Sequence, residues 1–130
     1  MSAEILIIDD NSDIREILND LITEAGYSTR IAANYNQALS EIDKKLPDVA
    51  IIDVKLDKGD NDGIELLNHI KNKNKNIPVI IISGHGNIEM AVKSLKSGAF
   101  EFLQKPFDHD RLMNFIKRAI ENFTLKNENQ

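Results

Sequence analysis

The chain has 130 residues, 42% hydrophobic and 28% charged, which suits one globular domain with one core rather than a disordered chain. A formal net charge of −5 argues against this segment gripping nucleic-acid phosphates by itself, and the absence of cysteine excludes disulfides and thiolate metal sites. No apolar run approaches the roughly 18 residues needed to cross a bilayer, and "MSAEILIIDD" has neither a basic lead nor a cleavage pattern, so no membrane role and a cytoplasmic address are expected.

Strands and helices alternate. "EILIID" (4–9) is a short branched apolar run, the pattern of a strand buried on both faces. It stops at two adjacent acids, Asp9 and Asp10, which repel each other unless something positive stands between them. "NSDIREILNDLITEAG" (11–26) predicts a helix: Ile14, Ile17, Leu18, Leu21 and Ile22 recur at helical spacing, Asn11 or Ser12 caps it and Gly26 ends it. "YSTRIA" (27–32) is a weaker strand suited to a place near an edge, and "NYNQALSEIDKKL" (34–46) is a helix stopped by Pro47. "DVAIID" (48–53) repeats the first motif, an apolar run ending at an acid. "DGIELLNHIKNK" (62–73) is a helix, and the following Asn/Lys-rich stretch is a solvated turn. "IPVIIIS" (77–83) is the most apolar strand and is expected at the centre of the sheet. Residues 87–98 form a helix with Gly98 as its stop, "AFEFLQ" (99–104) a strand, and residues 108–123 a last helix with Leu112, Phe115, Ile116, Ala119 and Phe123 inward. Residues 1–123 make the domain; the polar tail 124–130 is expected to fray. His69 and His109 are expected on the surface.

Five βα units of this kind give a parallel sheet covered by helices on both faces, with right-handed crossovers. Ligand sites in such sheets lie beyond the carboxyl ends of the strands. The residues at those ends are Asp9 and Asp10, Asp53, Ser83 and Lys105, so three acids, a hydroxyl and a lysine share one rim. Taken singly, each has an ordinary explanation: Asp9 and Asp10 as turn residues capping a helix, Ser83-Gly84 as a turn, Lys105-Pro106 as a strand stop. Their convergence favours chemistry. Three carboxylates with no cysteine or strand-end histidine suit a hard divalent ion, Mg²⁺ first and Mn²⁺ as substitute. An aspartate can take up a phosphoryl group as an acyl phosphate, its equatorial oxygens neutralised by metal, ammonium and hydroxyl. Asp53, alone at the end of its strand, is the natural acceptor.

These motifs resemble the receiver domain of two-component response regulators. The likeness covers residues 4 to about 123. It rests on Asp9-Asp10, "IIDVKL" around Asp53, "DG" at 62–63, "IIISGHG" around Ser83 and "GAFEFLQKPF" ending in Lys105-Pro106-Phe107; each is weak alone and the ordered set is specific. The resemblance implies a flavodoxin/CheY-like (βα)5 fold of strand order 2-1-3-4-5. It implies that a histidine kinase phosphorylates Asp53, and that the domain catalyses its own phosphotransfer and autodephosphorylation without being a conventional enzyme. Metal would be held by Asp10, Asp53 and the backbone carbonyl of Lys55, with Asp9 acting through water. Ser83 and Lys105 would bind the phosphoryl group, Ser83 and Phe102 would move on activation, and the Lys105–Pro106 bond would be cis. Phe102 is equally explicable as plain core.

"SGHG", "GAFEFLQKPF" and the loop "VKLDKGDNDG" are most similar to receivers of the NtrC/NtrX group of transcriptional activators, the NtrX type above all. Gly63 stands ten positions after Asp53, further than in most receivers, and the usual proline is absent. In that group the chain continues into an ATPase and a DNA-binding domain, DNA contact belongs to that output part, and residues 118–130 begin a linker helix. The face formed by residues 87–123 is expected to carry output and a homodimer, with Met90 and Met113 pointing outward. His85 reads first as an exposed loop histidine and otherwise as a tuner of phosphoryl lifetime. The Lys55 side chain is expected at the pocket mouth, reaching the acids, the phosphoryl group or only water. Two other functions compete: a pseudo-receiver binding module, which should lack Asp10, Asp53 or Lys105, and a metal-dependent phosphatase, which tends to carry an acid where Lys55 stands and a cap domain this chain has no room for.

Overall fold

The apolar runs that end at acids are strands in the computed structural model, which describes residues 3–84 and 88–128. The strands are β1 (Glu4–Ile8), β2 (Ser28–Ala32), β3 (Val49–Asp53), β4 (Val79–Ser83) and β5 (Glu101–Gln104). They alternate with α1 (Ser12–Glu24), α2 (Tyr35–Lys44), α3 (Asp62–Lys73), α4 (Ile88–Lys96) and α5 (His109–Glu128). All pairings are parallel, and the order is β2-β1-β3-β4-β5. β4 is interior and wholly buried, but the middle place belongs to β3. Hydrophobicity reports burial on two faces, which β3 and β4 share, and does not rank two interior strands.

Alternate side chains of the strands feed two cores. Leu6, Ile8, Ala50, Ile52 and Ile81 pack with α2 and α3 on one face. Ile5, Ile7, Ile51, Ile80 and Ile82 pack with α1 and α5 on the other. β2 meets only β1 and is the weak edge strand its sequence predicts. The register brings Asp53 level with Ile82, and Ser83 level with Gln104, so the acids, Ser83 and Lys105 all emerge at one rim.

Several boundaries and faces differ from expectation. Asn11, not Ser12, caps α1, its side chain accepting from the amides of Asp13 at 2.9 Å and Ile14 at 3.1 Å. Leu18 and Ile22 are buried, but Ile17 is 44% exposed. At about 100° per residue Ile17 lies about 140° from Ile22, beyond the arc one sheet face can cover. Met90 and Met113 are half-buried against the two cores; the outward apolar residues of α4 are Ile88, Val92 and Leu95. α5 runs past residue 123 to Glu128, and no glycine or proline follows Phe123 to stop it. Phe123 is half-buried on the first core. His85 lies outside the described residues.

Candidate functional site

β1 and α1 build the acidic wall. Asp9 is 1% exposed, and its Oδ1 accepts the Asn11 amide at 2.9 Å, which also sets the start of α1. Asp10 follows on the exposed side. Arg15 reaches back from α1 to donate from Nη1 to the Asp9 carbonyl oxygen at 2.8 Å. β3 delivers Asp53, also buried, whose Oδ1 accepts the Lys55 amide at 3.3 Å. One carboxylate oxygen from each of Asp9, Asp10 and Asp53 lies within 4.8 Å of the others.

The positive charge between them is Lys105. Its Nζ donates to Asp53 Oδ2 at 3.0 Å and stands 3.2 Å from Asp9 Oδ2. The second contact has ion-pair distance but not hydrogen-bond geometry, so the buried Asp9 Oδ2 accepts no hydrogen bond among the described residues. A buried carboxylate oxygen left with charge attraction alone is under-satisfied. With three oxygen donors so close, the pocket fits a hard divalent cation. Ser83, buried at the end of β4, holds Lys105 in register: the Lys105 amide donates to the Ser83 carbonyl oxygen at 2.7 Å. The Lys105–Pro106 peptide bond is cis.

Electrostatics matches this crowding. Burial first, and the Asp9 charge second, push the Asp53 carboxyl up to about 6, although Lys105 pulls the other way. Burial alone would depress the Lys105 ammonium, but its pairing with Asp53 and Asp9 prevails and raises it.

Other expected residues lie around this centre. Phe102 is half-buried and lines a groove of about 810 Å³ that passes Lys105, Pro106, Phe107 and Arg111 between the first turns of α4 and α5. The Lys55 side chain is exposed, and its partner is Asp60 in its own loop, Nζ to Oδ1 3.7 Å, rather than the acid cluster. His69 pairs with Asp43 on the surface at 2.9 Å, and His109 is exposed.

Two contributors escaped sequence reasoning. Arg15 carries no local signal. Asp62 stands beside Gly63 in the DG pair, yet only the folded loop reveals its role: 3% exposed, its Oδ2 accepts the amides of Lys58 at 2.8 Å and Gly59 at 3.0 Å. Gly63 is required because a Cβ there would lie 2.6 Å from the Asp53 carbonyl oxygen.

A five-stranded parallel sheet of this order, with an acid-and-lysine pocket at its carboxyl rim, defines a doubly wound α/β domain of the CheY-like, flavodoxin type. The chain belongs to the response regulator receiver domain family, whose pattern matches residues 5–117. It is 42% identical over 128 residues to the nitrogen assimilation regulatory protein NtrX of Azorhizobium caulinodans, covering 98% of this chain and 28% of that protein. It is 39% identical over 120 residues to sporulation initiation phosphotransferase F of Bacillus subtilis, covering 92% of this chain and 95% of that one. The crystal structure of NtrX from Brucella abortus superposes with a TM-score of 0.89 at 41% identity, over 98% of this chain and 29% of that one. The chain thus spans little more than a quarter of its NtrX relatives. No helix of the described residues is long and apolar enough to cross a membrane.

Proposed function

We propose that Asp53 is the phosphoacceptor and that its modification drives a conformational switch. The donor is a phosphohistidine on a cognate histidine kinase. An Asp53 carboxylate oxygen attacks phosphorus as the phosphorus–nitrogen bond breaks, and the imidazole nitrogen keeps the electron pair. Lys105, 3.0 Å from Asp53, neutralises a transferred oxygen. The Ser83 hydroxyl binds a second. Asp10, Asp53 and the Lys55 carbonyl would hold Mg²⁺, or Mn²⁺ as substitute, with Asp9 acting through water; such an ion would supply positive charge to offset that of the phosphoryl oxygens. Water later cleaves the acyl phosphate, returning carboxylate and inorganic phosphate.

The observation that carries this reading is the meeting of Asp9, Asp10 and Asp53 within 4.8 Å, beside the Lys105 ammonium. The pseudo-receiver reading needs one of these groups to be missing. Intact-mass measurement after incubation with acetyl phosphate and Mg²⁺ tests it. The wild type should gain one phosphate and Asp53→Asn none; a gain at the normal rate in Asp53→Asn overturns the assignment.

The NtrX likeness supports an output role in the cytoplasm. Phosphorylation would shift Ser83 and Phe102 and strengthen a homodimer through residues 87–123, controlling a transcriptional output domain that alone touches DNA. A second reading, a stand-alone receiver acting through protein contacts, is favoured by the near end-to-end match to the Bacillus phosphotransferase.

A further inference from the structure

The loop from Asp53 to α3 has to return the chain in a space where Asp53 and Lys55 serve the site. Val54 and Leu56 are buried beneath it, 5% and 4% exposed, while Lys55 faces out. Beyond Leu56 several ties hold the loop. Asp57 Oδ1 accepts the Tyr35 amide at 2.9 Å, fastening it to the start of α2. Asn61 Oδ1 accepts Lys93 Nζ at 3.2 Å, fastening it to α4. The Gly63 amide donates to the Val54 carbonyl oxygen at 2.9 Å, closing the loop at its base. Asp62 draws the middle inward by accepting the Lys58 and Gly59 amides on one oxygen. Only this last tie uses a buried carboxylate.

A carboxylate as buried as Asp62, 3% exposed, is costly unless its oxygens are hydrogen-bonded. That cost is offset by two amide donors and by its place in the first turn of α3, where the helix dipole favours negative charge. What Asp62 adds is a short, doubly engaged tie from the first turn of α3 to the Lys58 and Gly59 amides, next to the Gly63 amide that holds the Val54 carbonyl oxygen one residue before Lys55.

We propose that Asp62 is a positioning residue for the metal site, fixing the loop so that the Lys55 backbone is pre-set for the cation. This rests on the Mg²⁺ reading above. It differs from a purely structural role because it predicts a loss of metal affinity that a faithful hydrogen-bonding substitute recovers.

The test is calorimetric titration of Mg²⁺ into the wild-type chain, Asp62→Ala and Asp62→Asn. Removing a group that orients a metal ligand should weaken binding by about tenfold in Asp62→Ala. Asp62→Asn retains an oxygen able to accept both amides and should stay within about threefold of the wild type. Hydrogen exchange in metal-free protein supplies a second readout: the Lys58 and Gly59 amides lose protection in Asp62→Ala and keep it in Asp62→Asn. Binding by Asp62→Ala within error of the wild type overturns the proposal, as does an Asn variant as weak as the Ala variant, which would assign the effect to charge. If Asp62→Ala does not fold, the wild type decides: Mg²⁺ should raise protection at Lys58 and Gly59, and unchanged protection overturns the proposal. A wild type that binds no Mg²⁺ overturns instead the metal reading on which it rests.

Discussion

Gly63 lies against the backbone of Asp53 with no room for a side chain: a Cβ there would meet the Asp53 carbonyl oxygen and the Val54 Cα, each at 2.6 Å. Both obstacles are main chain and cannot rotate away. Gly63→Ala must therefore push α3 off β3 or bend the strand end that carries Asp53. The expected loss is about 2–4 kcal/mol, the range of severe overpacking, read from urea denaturation. A loss below about 0.5 kcal/mol would mean that the contact relaxes freely and the DG glycine is not steric in origin.

The crowding of acids gives metal-free protein a distinctive pH response. Asp53 binds its proton more tightly folded than unfolded, its pKa raised from 3.8 to about 6 by burial and by Asp9. The folded state is therefore favoured where Asp53 is protonated. That contribution is complete below about pH 4 and is lost as pH rises through about 6. The loss should be on the order of 2 kcal/mol. Surface pairs around Glu41 and Asp43 work oppositely: their pKa values are lowered by hydrogen bonds from Arg30 and His69, so their stability is present above the ordinary carboxylate range and is lost as pH falls below it. The difference between wild type and Asp53→Asn isolates the Asp53 contribution. In chelator, the wild type should weaken relative to Asp53→Asn between pH 4.5 and 7.5 (buffers chosen to bracket about 6). Parallel curves for the two proteins would refute the burial argument.

What the sequence disclosed follows from which constraints are local. A parallel strand buried on both faces must be a branched apolar run, and a rim acid must interrupt it, so Ile5–Ile8 before Asp9 and Val49–Ile52 before Asp53 were legible. The meeting of Asp9, Asp53 and Lys105 followed from the rule placing sites at strand ends. Arg15 was not legible because its bond to the Asp9 carbonyl is set by how α1 leans on β1, which no spacing encodes. Asp62 was hidden for a similar reason: its partners are backbone amides, and amides have no letter in the sequence. The Lys55 side chain was foreseen at the pocket mouth, yet its choice of Asp60 depends on the path of the long loop. Ile17 misled because helical spacing marks an apolar arc wider than the face that α1 presents.

α4 carries an internal mismatch that can be measured. Its one fully buried residue is Ser94, whose hydroxyl has no hydrogen-bond partner among the described residues. Such a group costs about 1–3 kcal/mol of desolvation. Ser94→Ala removes the oxygen and leaves only a small void, so the variant should be more stable by about 1 kcal/mol. Thermal unfolding would rise by a few degrees. An equal or lower midpoint would mean that the hydroxyl is satisfied in solution.

The same helix turns apolar residues outward: Ile88, Val92 and Leu95 are 81%, 44% and 49% exposed. Their spacing of four and then three places them on one face of α4. Together they form an apolar stripe inside the proposed 87–123 dimer face, and contiguous exposed apolar surface marks an interaction site. In a two-fold dimer each substitution counts twice. Placing a charge at Leu95 removes apolar burial and adds a desolvation cost in both protomers. A fluoroberyllate mimic of the phosphorylated state should therefore shift the wild type toward dimer in sedimentation, while Leu95→Glu should weaken that dimer by about tenfold or more. Because Leu95 is half-exposed, the monomer fold should survive, checked by an unchanged circular dichroism melt. The same sedimentation profile with and without the mimic would count against phosphorylation-driven pairing. An undiminished dimer in Leu95→Glu would move the contact away from α4 and toward the β5–α5 part of the face.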